Sequence, residues 1–479
     1  MHNKLFRTIL LVAVAAAALG GVLVAVAGAD DSAPLPGMSA PELIARMGDR
    51  SRTPAAMNGD VSWTNDLFGQ AAIATGDVGM AAQSPLIASG SGRLWAQEGK
   101  VRFESQGQGG DQVLVANAEA GTVWTYDFAG DTAHLYRLAA ESDSSSTAGV
   151  GGDGTGPQAL ASPSPEAMTP ERVAGFLQSA ARFMNVDVTG QTVVAGREAY
   201  VLTMTPAATD TALGKVEAAI DGRTFVPLRL DVVAKGYATP TLSFRFDRVS
   251  YEPVSDSVFA FAPPEGATVQ RDTIDPKSES PQAGKDGAQG VSGASRADAM
   301  EQMKQLARTA LLTRAEAAKL VDFPLAWARD YAARDFRWAY VLEKGAPVDA
   351  LGAPVFDMAK VFGGLGGSGA ASDATGANGA SSGDAAGGSP PTTGPMAVQL
   401  YGEGFGSIVL AQTKTTAAIR DQMKQLPGVV DKIDLGGAQA KAVVTPLGSV
   451  VVWERDGVTL IAAGMVPRAD IVAFVTSVR

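Results

Sequence analysis

The sequence predicts an α+β protein of two folded parts, and three observations carry that expectation. First, REAYVLTMTP, KVEAAIDGRTFVPLRLDVVAKG, TLSFRFDRVSYEP and SVFAFAPPEGATV follow one another through residues 197–269. Each alternates apolar and polar residues with period two, the mark of strands that bury one face. Second, helix-start signals recur at Ser39, Thr169, Thr313 and Pro467. Third, at 479 residues the chain exceeds one ordinary core, and its glycine and proline gather in patches that read as linkers.

Composition excludes several functions. A formal net charge of −11 argues against a nucleic-acid partner, which needs basic surface. Cysteine is absent, which removes disulfides, thiolate chemistry and the acylated cysteine of a lipoprotein. The two histidines are His2, in the leader, and His134, so no two-histidine metal site is expected. No cofactor site is expected, and no catalytic residue: carboxylates are plentiful, but none pair inside an apolar motif of the kind acid–base catalysis uses. Gly402-Glu-Gly404-Phe-Gly406 evokes a phosphate loop without the strand–loop–helix unit that such a loop requires.

Taken in order, Lys4 and Arg7 precede an apolar run from Ile9 to Ala29. This pattern predicts export, with residues 1–30 as a cleaved signal peptide or a single transmembrane anchor. The run is longer than the roughly 7–15 residues of a signal core and close to the ~20 that span a bilayer, yet Ala25-Val-Ala27 and Ala27-Gly-Ala29 both suit cleavage. Ser39 caps a first helix, with Glu42 at the capping-box position. Strands are expected at Val61–Phe68, Gly92–Gln97, Lys100–Ser105, Asp111–Asn117, Thr122–Phe128 and Ala133–Ala139, joined by turns at Glu98-Gly99, Ala120-Gly121 and Gly130-Asp131. Residues 142–164 read as a loop. A helix opens at Thr169-Pro170, with Val173, Phe176, Leu177, Ala180 and Met184 on one face.

The strands of 197–269 follow, with Asp221-Gly222 as a hairpin dipeptide. They complete a first domain over 31–270, and 271–309 reads as a linker and helix. A second, smaller α+β domain is expected over 310–479. It opens on the capping box Thr313-Arg-Ala-Glu316, is interrupted by a Gly/Ser-rich insertion at 363–394, and ends in a helix near Pro467 that presents Ile471, Phe474 and Val478.

The succession APELIARM, GRLWAQEGKVRFES, TVWTYDF, GREAYVLTMTP, DGRTFVPLRLDV, FRFDRVSYEP and VFAFAPPEGATV resembles the LolA/LolB superfamily of periplasmic lipoprotein carriers, in its divergent actinobacterial form. The resemblance implies an unclosed antiparallel β half-barrel covered by helices, whose hollow receives lipid or lipoprotein acyl chains. In one branch of the superfamily it implies an envelope sensor acting on an anti-sigma factor. It places at Arg102 an arginine that bonds to the helical lid; the residue read by itself is a charge on a strand's solvent face. The last part resembles a small uncharacterised domain of exported bacterial proteins. Ligand-contact candidates are the large side chains on the expected strands, namely Trp63, Trp95, Phe103, Trp124, Phe128, Phe244, Phe246, Phe259 and Phe261, together with Arg102. Strand alternation forbids all of them from facing one way, and core packing competes with ligand contact at each. An acyl chain gains about 0.8 kcal/mol per buried methylene, so a hollow of this kind needs no polar motif.

Overall fold

The computed structural model describes residues 35–49, 54–68, 89–107, 110–138, 183–274, 312–328, 331, 334–342, 394–424, 431–435 and 439–479. The leader, the loop at 142–164, the Thr169 helix as far as residue 182, residues 275–309 of the expected linker and helix, and residues 363–393 of the insertion lie outside them. No helix among the described residues is long and apolar enough to cross a membrane.

Two sheets hold just over half of the described residues. The first is built from β1 (Ala56–Asn65), β2 (Gly90–Gln97), β3 (Lys100–Gly107), β4 (Gln112–Asn117), β5 (Thr122–Asp127), β6 (Thr132–Leu138), β7 (Met184–Val194), β8 (Arg197–Pro206), β9 (Leu213–Asp221), β10 (Pro227–Ala234), β11 (Leu242–Ser250) and β12 (Thr268–Ile274). Its 12 strands run in the order β12-β6-β5-β4-β3-β2-β1-β11-β10-β9-β8-β7, so it has two free edges and does not close. Tight hairpins fix most of the register. Glu98-Gly99 and Ala195-Gly196 both hold two successive residues at positive φ, the twist that a two-residue connection between right-handed strands requires.

β12 is the exception in direction, because it lies parallel to β6 at the far edge. To reach it from β11, in the middle of the sheet, residues 251–267 cross the strands as a strap. Asn58 donates to Glu252 O at 3.1 Å, Val254 N donates to Gln97 at 2.8 Å, and Lys100 pairs with Asp256 at 2.8 Å.

Helix α1 (Ala40–Met47) starts where Ser39 accepts from Glu42 N. It lays Leu43 against Tyr200, Leu202, Ala218, Ile220 and Phe225. It is the one helix among the described residues that covers the first sheet, so the helix-covered half-barrel is met in part: the sheet is open and carries α1.

The second sheet has the order β13-β14-β15-β19-β18-β17-β16, from β13 (Phe336–Leu342), β14 (Met396–Tyr401), β15 (Ile408–Lys414), β16 (Asp431–Asp434), β17 (Gln439–Thr445), β18 (Gly448–Arg455) and β19 (Val458–Gly464). Its segments GSVVVWER and VTLIAAG are apolar almost throughout rather than alternating. Burial of both faces is the reason. On one face Val451, Trp453 and Leu460 pack with Ile471, Phe474 and Val475 of α4 (Arg468–Ser477). On the other, Val450, Val452 and Ile461 pack with Ile419 of α3 (Ala417–Lys424).

Several sequence expectations are corrected in detail. SVFAFAPPEGATV is not a strand: Asp256–Phe259 is a single 3-10 turn and the residues beyond it are irregular up to β12. The first sheet therefore reaches Ile274, into what reads as linker. Met184 begins β7 instead of continuing a helix. Thr313 and Glu316 form both halves of the capping box, but the helix they open, α2 (Arg314–Ala317), has a single turn. Asp221-Gly222 is not a two-residue hairpin, since β9 ends at Asp221 and β10 begins at Pro227, with Phe225 at φ 56° between them.

Candidate functional site

The register sorts the large side chains between the two faces of the first sheet. Directly opposed residues of an antiparallel pair share a face. The pairings Leu202↔Ala218, Ala218↔Leu230, Leu230↔Phe244, Phe244↔Trp63 and Trp63↔Gly90 therefore trace one apolar row across β8, β9, β10, β11, β1 and β2. Val61 and Phe246 form the next row on the same face, and Leu94 and Phe103 continue that face onto β2 and β3.

Glycines make room for these rings. A Cβ at Gly90 would stand 2.5 Å from Trp63 Cζ2, one at Gly59 3.0 Å from Phe246 Cδ1, and one at Gly92 3.2 Å from Phe103 Cε2. Each ring lies over bare backbone. Trp63 meets Phe103 at 5.9 Å between centroids, and Phe244 meets Phe246 edge-on at 6.0 Å. Trp63 and Phe246 are buried; Phe103 and Phe244 are half-buried against the same cluster, which includes Met57, Val61, Leu94 and Leu228.

The row is covered at one end and open in the middle. Helix α1 lies on Leu202 and Ala218. Leu230, between Ala218 and Phe244 in the register, is 44% exposed. Leu230 is thus an exposed leucine at the centre of an apolar row.

The remaining candidates lie elsewhere. Trp95 and Arg102 oppose one another across β2 and β3, on the face away from Leu94. Val115 and Trp124 continue that face, and there Phe261 of the strap packs on Trp124 at 5.6 Å and Tyr126 at 6.0 Å. Phe259, in the strap's own 3-10 turn, is buried, while Phe128 is 55% exposed at a turn, edge-on to Tyr126. Arg102 Nη1 donates to the carbonyls of Val258 and Ala260 at 3.0 and 3.3 Å, and its guanidinium pairs with Glu104 at 2.7 Å. It fastens the strap to the sheet. Thus Trp63, Phe103, Phe244 and Phe246 come together on the open face; Trp95, Arg102, Trp124, Phe259 and Phe261 do not join them.

Two polar clusters flank this floor. Asp221 is fully buried and accepts from Arg197, from the backbone N–H groups of Arg223 and Thr224, and from the Tyr251 hydroxyl. Burial alone would raise its pKa, but Arg197 and the two backbone donors outweigh that and hold it below the ordinary carboxylate range. Burial pushes the Tyr251 hydroxyl well above the usual range, with the Asp221 charge adding to it. The cluster's work is to lock the loop between β9 and β10.

The second cluster joins the two sheets. Arg334, 3% exposed, donates to Gly406 O, to Asp210 O at 2.7 Å and to Tyr331 Oη at 2.8 Å. Its charge is met by Asp210 at 3.1 Å and Asp470 at 3.0 Å. Gly406 belongs to the glycine run that evokes a phosphate loop. The run is a 3-10 turn in this seam, and a Cβ at Gly406 would fall 2.4 Å from the Asp210 carboxylate. His134 stacks on Tyr136 with centroids 6.0 Å apart. Among the described residues no group of three His, Cys, Asp or Glu gathers as a metal site would need.

Leu230 and the seam residues escape sequence reading. Leu230 looks like any inward residue of an alternating strand, and Arg334 stands in no motif. The chain matches no known protein family by sequence and no characterised protein. Solved structures to which it is similar include the Pseudomonas aeruginosa MucA/MucB complex, at 12% identity and TM-score 0.36, over 92% of this chain and 98% of that one. They also include a LolA superfamily protein from Nitrosomonas europaea, at 9% identity and TM-score 0.18, over 47% of this chain and 99% of that one.

Proposed function

We propose that this protein is an extracytoplasmic carrier-like protein that holds lipid or lipoprotein acyl chains on the open face of its first sheet. The observation that carries the reading is Leu230, 44% exposed within the row Leu202–Ala218–Leu230–Phe244–Trp63. From Leu202 to Trp63 the row crosses five strands, about 19 Å at ~4.8 Å per strand. A chain of about ten methylenes laid there would gain roughly 8 kcal/mol from apolar burial alone. That gain requires no charged partner. Residues 31–274 form the binding domain on this reading, and 310–479 form a second domain that buttresses it.

The test is native mass spectrometry of the gently purified full chain, followed by titration with a fluorescent fatty acid. Co-purifying lipid and saturable binding are expected. Leu230→Asp, a change at an exposed position, should leave circular dichroism unchanged and weaken fatty-acid binding at least tenfold, about 1.4 kcal/mol or more. A wild-type chain that is free of lipid and does not bind the probe overturns the reading.

A second reading is a membrane-tethered regulator acting on a protein partner such as an anti-sigma factor. The uninterrupted apolar run Ile9–Ala29 favours it, because it is long enough to anchor the chain and a tethered protein shuttles poorly. Mapping the mature amino terminus separates the two: cleavage after Ala29 supports the carrier, an intact leader the regulator.

A further inference from the structure

The face that carries the acyl floor does not stay apolar as far as its edge. Trp63 meets Phe103 at 5.9 Å, and from Phe103 the register runs to Leu114 on β4, Thr125 on β5, His134 on β6 and Gln270 on β12. Residues paired in this way share a face. The row therefore passes from apolar to hydrogen-bonding side chains between β4 and β5. The adjacent row turns polar already at β3, where Val61 and Gly92 are followed by Ser105, Gln112, Asp127 and Thr132. Three strand spacings separate Phe103 from His134, about 14 Å at ~4.8 Å each. The polar end thus lies across the strands, in the direction in which the apolar row itself runs. Thr125 and His134 are half-buried and Gln270 is exposed. The buried ring of Tyr136 lies parallel to that of His134, with 6.0 Å between centroids.

We propose that Thr125, His134 and Gln270 are the headgroup subsite of the acyl-chain floor, and that they select an amphiphile with an uncharged polyhydroxyl headgroup. The inference rests on the carrier reading above. A hydroxyl, an imidazole and a primary amide each offer both a donor and an acceptor. A sugar or glycerol hydroxyl presents the same pair in return. A phosphate presents acceptors alone, and its strong partners are cationic donors. Strands β4, β5, β6 and β12 contain no lysine, and their arginines are Arg137 and Arg271. Arg137 follows Tyr136 along β6 and Arg271 pairs with Leu135, so strand alternation puts both on the opposite face. Asp127, a carboxylate, stands on the floor face between Gln112 and Thr132. An anionic headgroup there would meet like charge with no guanidinium or ammonium from these strands to offset it.

The experiment displaces a fluorescent fatty acid from the full chain with amphiphiles that share one tail length: lauroylglycerol, dodecyl maltoside and dodecyl phosphate, each below its micelle concentration. The neutral ligands are expected to bind about tenfold or more tightly than the phosphate, and the tighter of the two distinguishes a glycerol from a sugar headgroup. In Gln270→Ala and in His134→Ala the preference for the neutral ligand should fall about fivefold, the loss of one hydrogen bond. Circular dichroism checks that each variant is folded; should the His134 variant unfold, Gln270→Ala, a change at an exposed position of an edge strand, carries the test. A wild type that shows no preference or favours the phosphate, or a preference that persists unchanged in the folded variants, overturns the headgroup subsite and leaves the carrier reading standing. A wild type that binds neither the fluorescent acid nor any of the amphiphiles overturns the carrier reading itself.

Discussion

Asp221 shows how much a single side chain fixes in this fold. Its carboxylate receives two backbone N–H groups from the loop that follows it, the Arg197 guanidinium from the neighbouring strand and the Tyr251 hydroxyl from the end of β11. Arg197 in turn stacks over the Tyr251 ring at 4.8 Å. Asp221→Asn keeps the shape but removes the charge that faces Arg197, whose side chain is 28% exposed. Breaking a buried pair costs about 3–5 kcal/mol, and the partial exposure of Arg197 brings the expected loss to roughly 2–3 kcal/mol in urea unfolding. The pH dependence has a definite sign. The folded carboxyl ionises below its unfolded counterpart, so its stabilisation is complete above the unfolded value of about 3.9 and is lost as pH falls through the folded one. The wild type should therefore lose stability more steeply than Asp221→Asn on acidification below pH ~4. Parallel acid curves for the two proteins would show that the charge contributes nothing.

At the scale of elements, the glycines of β1 and β2 explain how a sheet with such large side chains can curve. Gly59, Gly90 and Gly92 lie on the aromatic face, and a Cβ at Gly92 would stand 2.2 Å from Glu104 O on the next strand. Backbone approaches backbone there, which a side chain would prevent. Gly92→Ala is expected to cost about 1–3 kcal/mol, because neither the carbonyl nor the strand can move without breaking ladder bonds. Gly190, on edge strand β7, has no positive φ, and a Cβ there would meet nothing within 4 Å. Gly190→Ala should be neutral or gain up to about 1 kcal/mol. Chemical denaturation of the pair tests the contrast, and equal effects would refute it.

The same elements show what sequence could and could not reveal. The strands β2 to β6 and β8 to β11 are legible because one face is buried and the other wet, which writes period two into the chain. β7 is not, since most of its residues are exposed or half-exposed and Met184 extends a helical spacing. β12 is a polar edge strand, TVQRDTI, whose pairing with β6 depends on a strap that leaves no mark in composition. Alternation separates Leu94 from Trp95, but only cross-strand register shows that Phe244 joins Trp63 while Trp124 does not. Leu447, buried against Leu213 and Leu242 of the first sheet, does leave a signal: a leucine between proline and glycine in a turn is an apolar side chain with no local reason to be there.

For the whole molecule, the question is whether the two sheets behave as one body. Their seam combines the Leu447 plug with the buried Arg334, whose donors reach Asp210 and Asp470 on opposite sides and the Gly406 carbonyl between. Both carboxylates are partly exposed, at 46% and 35%, so they remain hydrated if the arginine is removed. The Gly406 and Asp210 carbonyls, by contrast, would lose a charged donor, at about 1.5–3 kcal/mol for a bond of that kind. Arg334→Met conserves most of the apolar stem and removes only the guanidinium. Leu447 and the hydrogen bonds that Ala212 N and Thr211 Oγ1 donate to Met465 O then hold the sheets, and the expected result is a single calorimetric transition in the wild type that divides into two in the variant. The radius of gyration in small-angle scattering should rise with it as the units separate. The loss should be concentrated at the seam, leaving the far-ultraviolet circular dichroism of both sheets intact. If calorimetry and scattering are both unchanged, Leu447 and its neighbours suffice to dock the sheets, and the buried arginine fixes only the local chain around itself and Gly406.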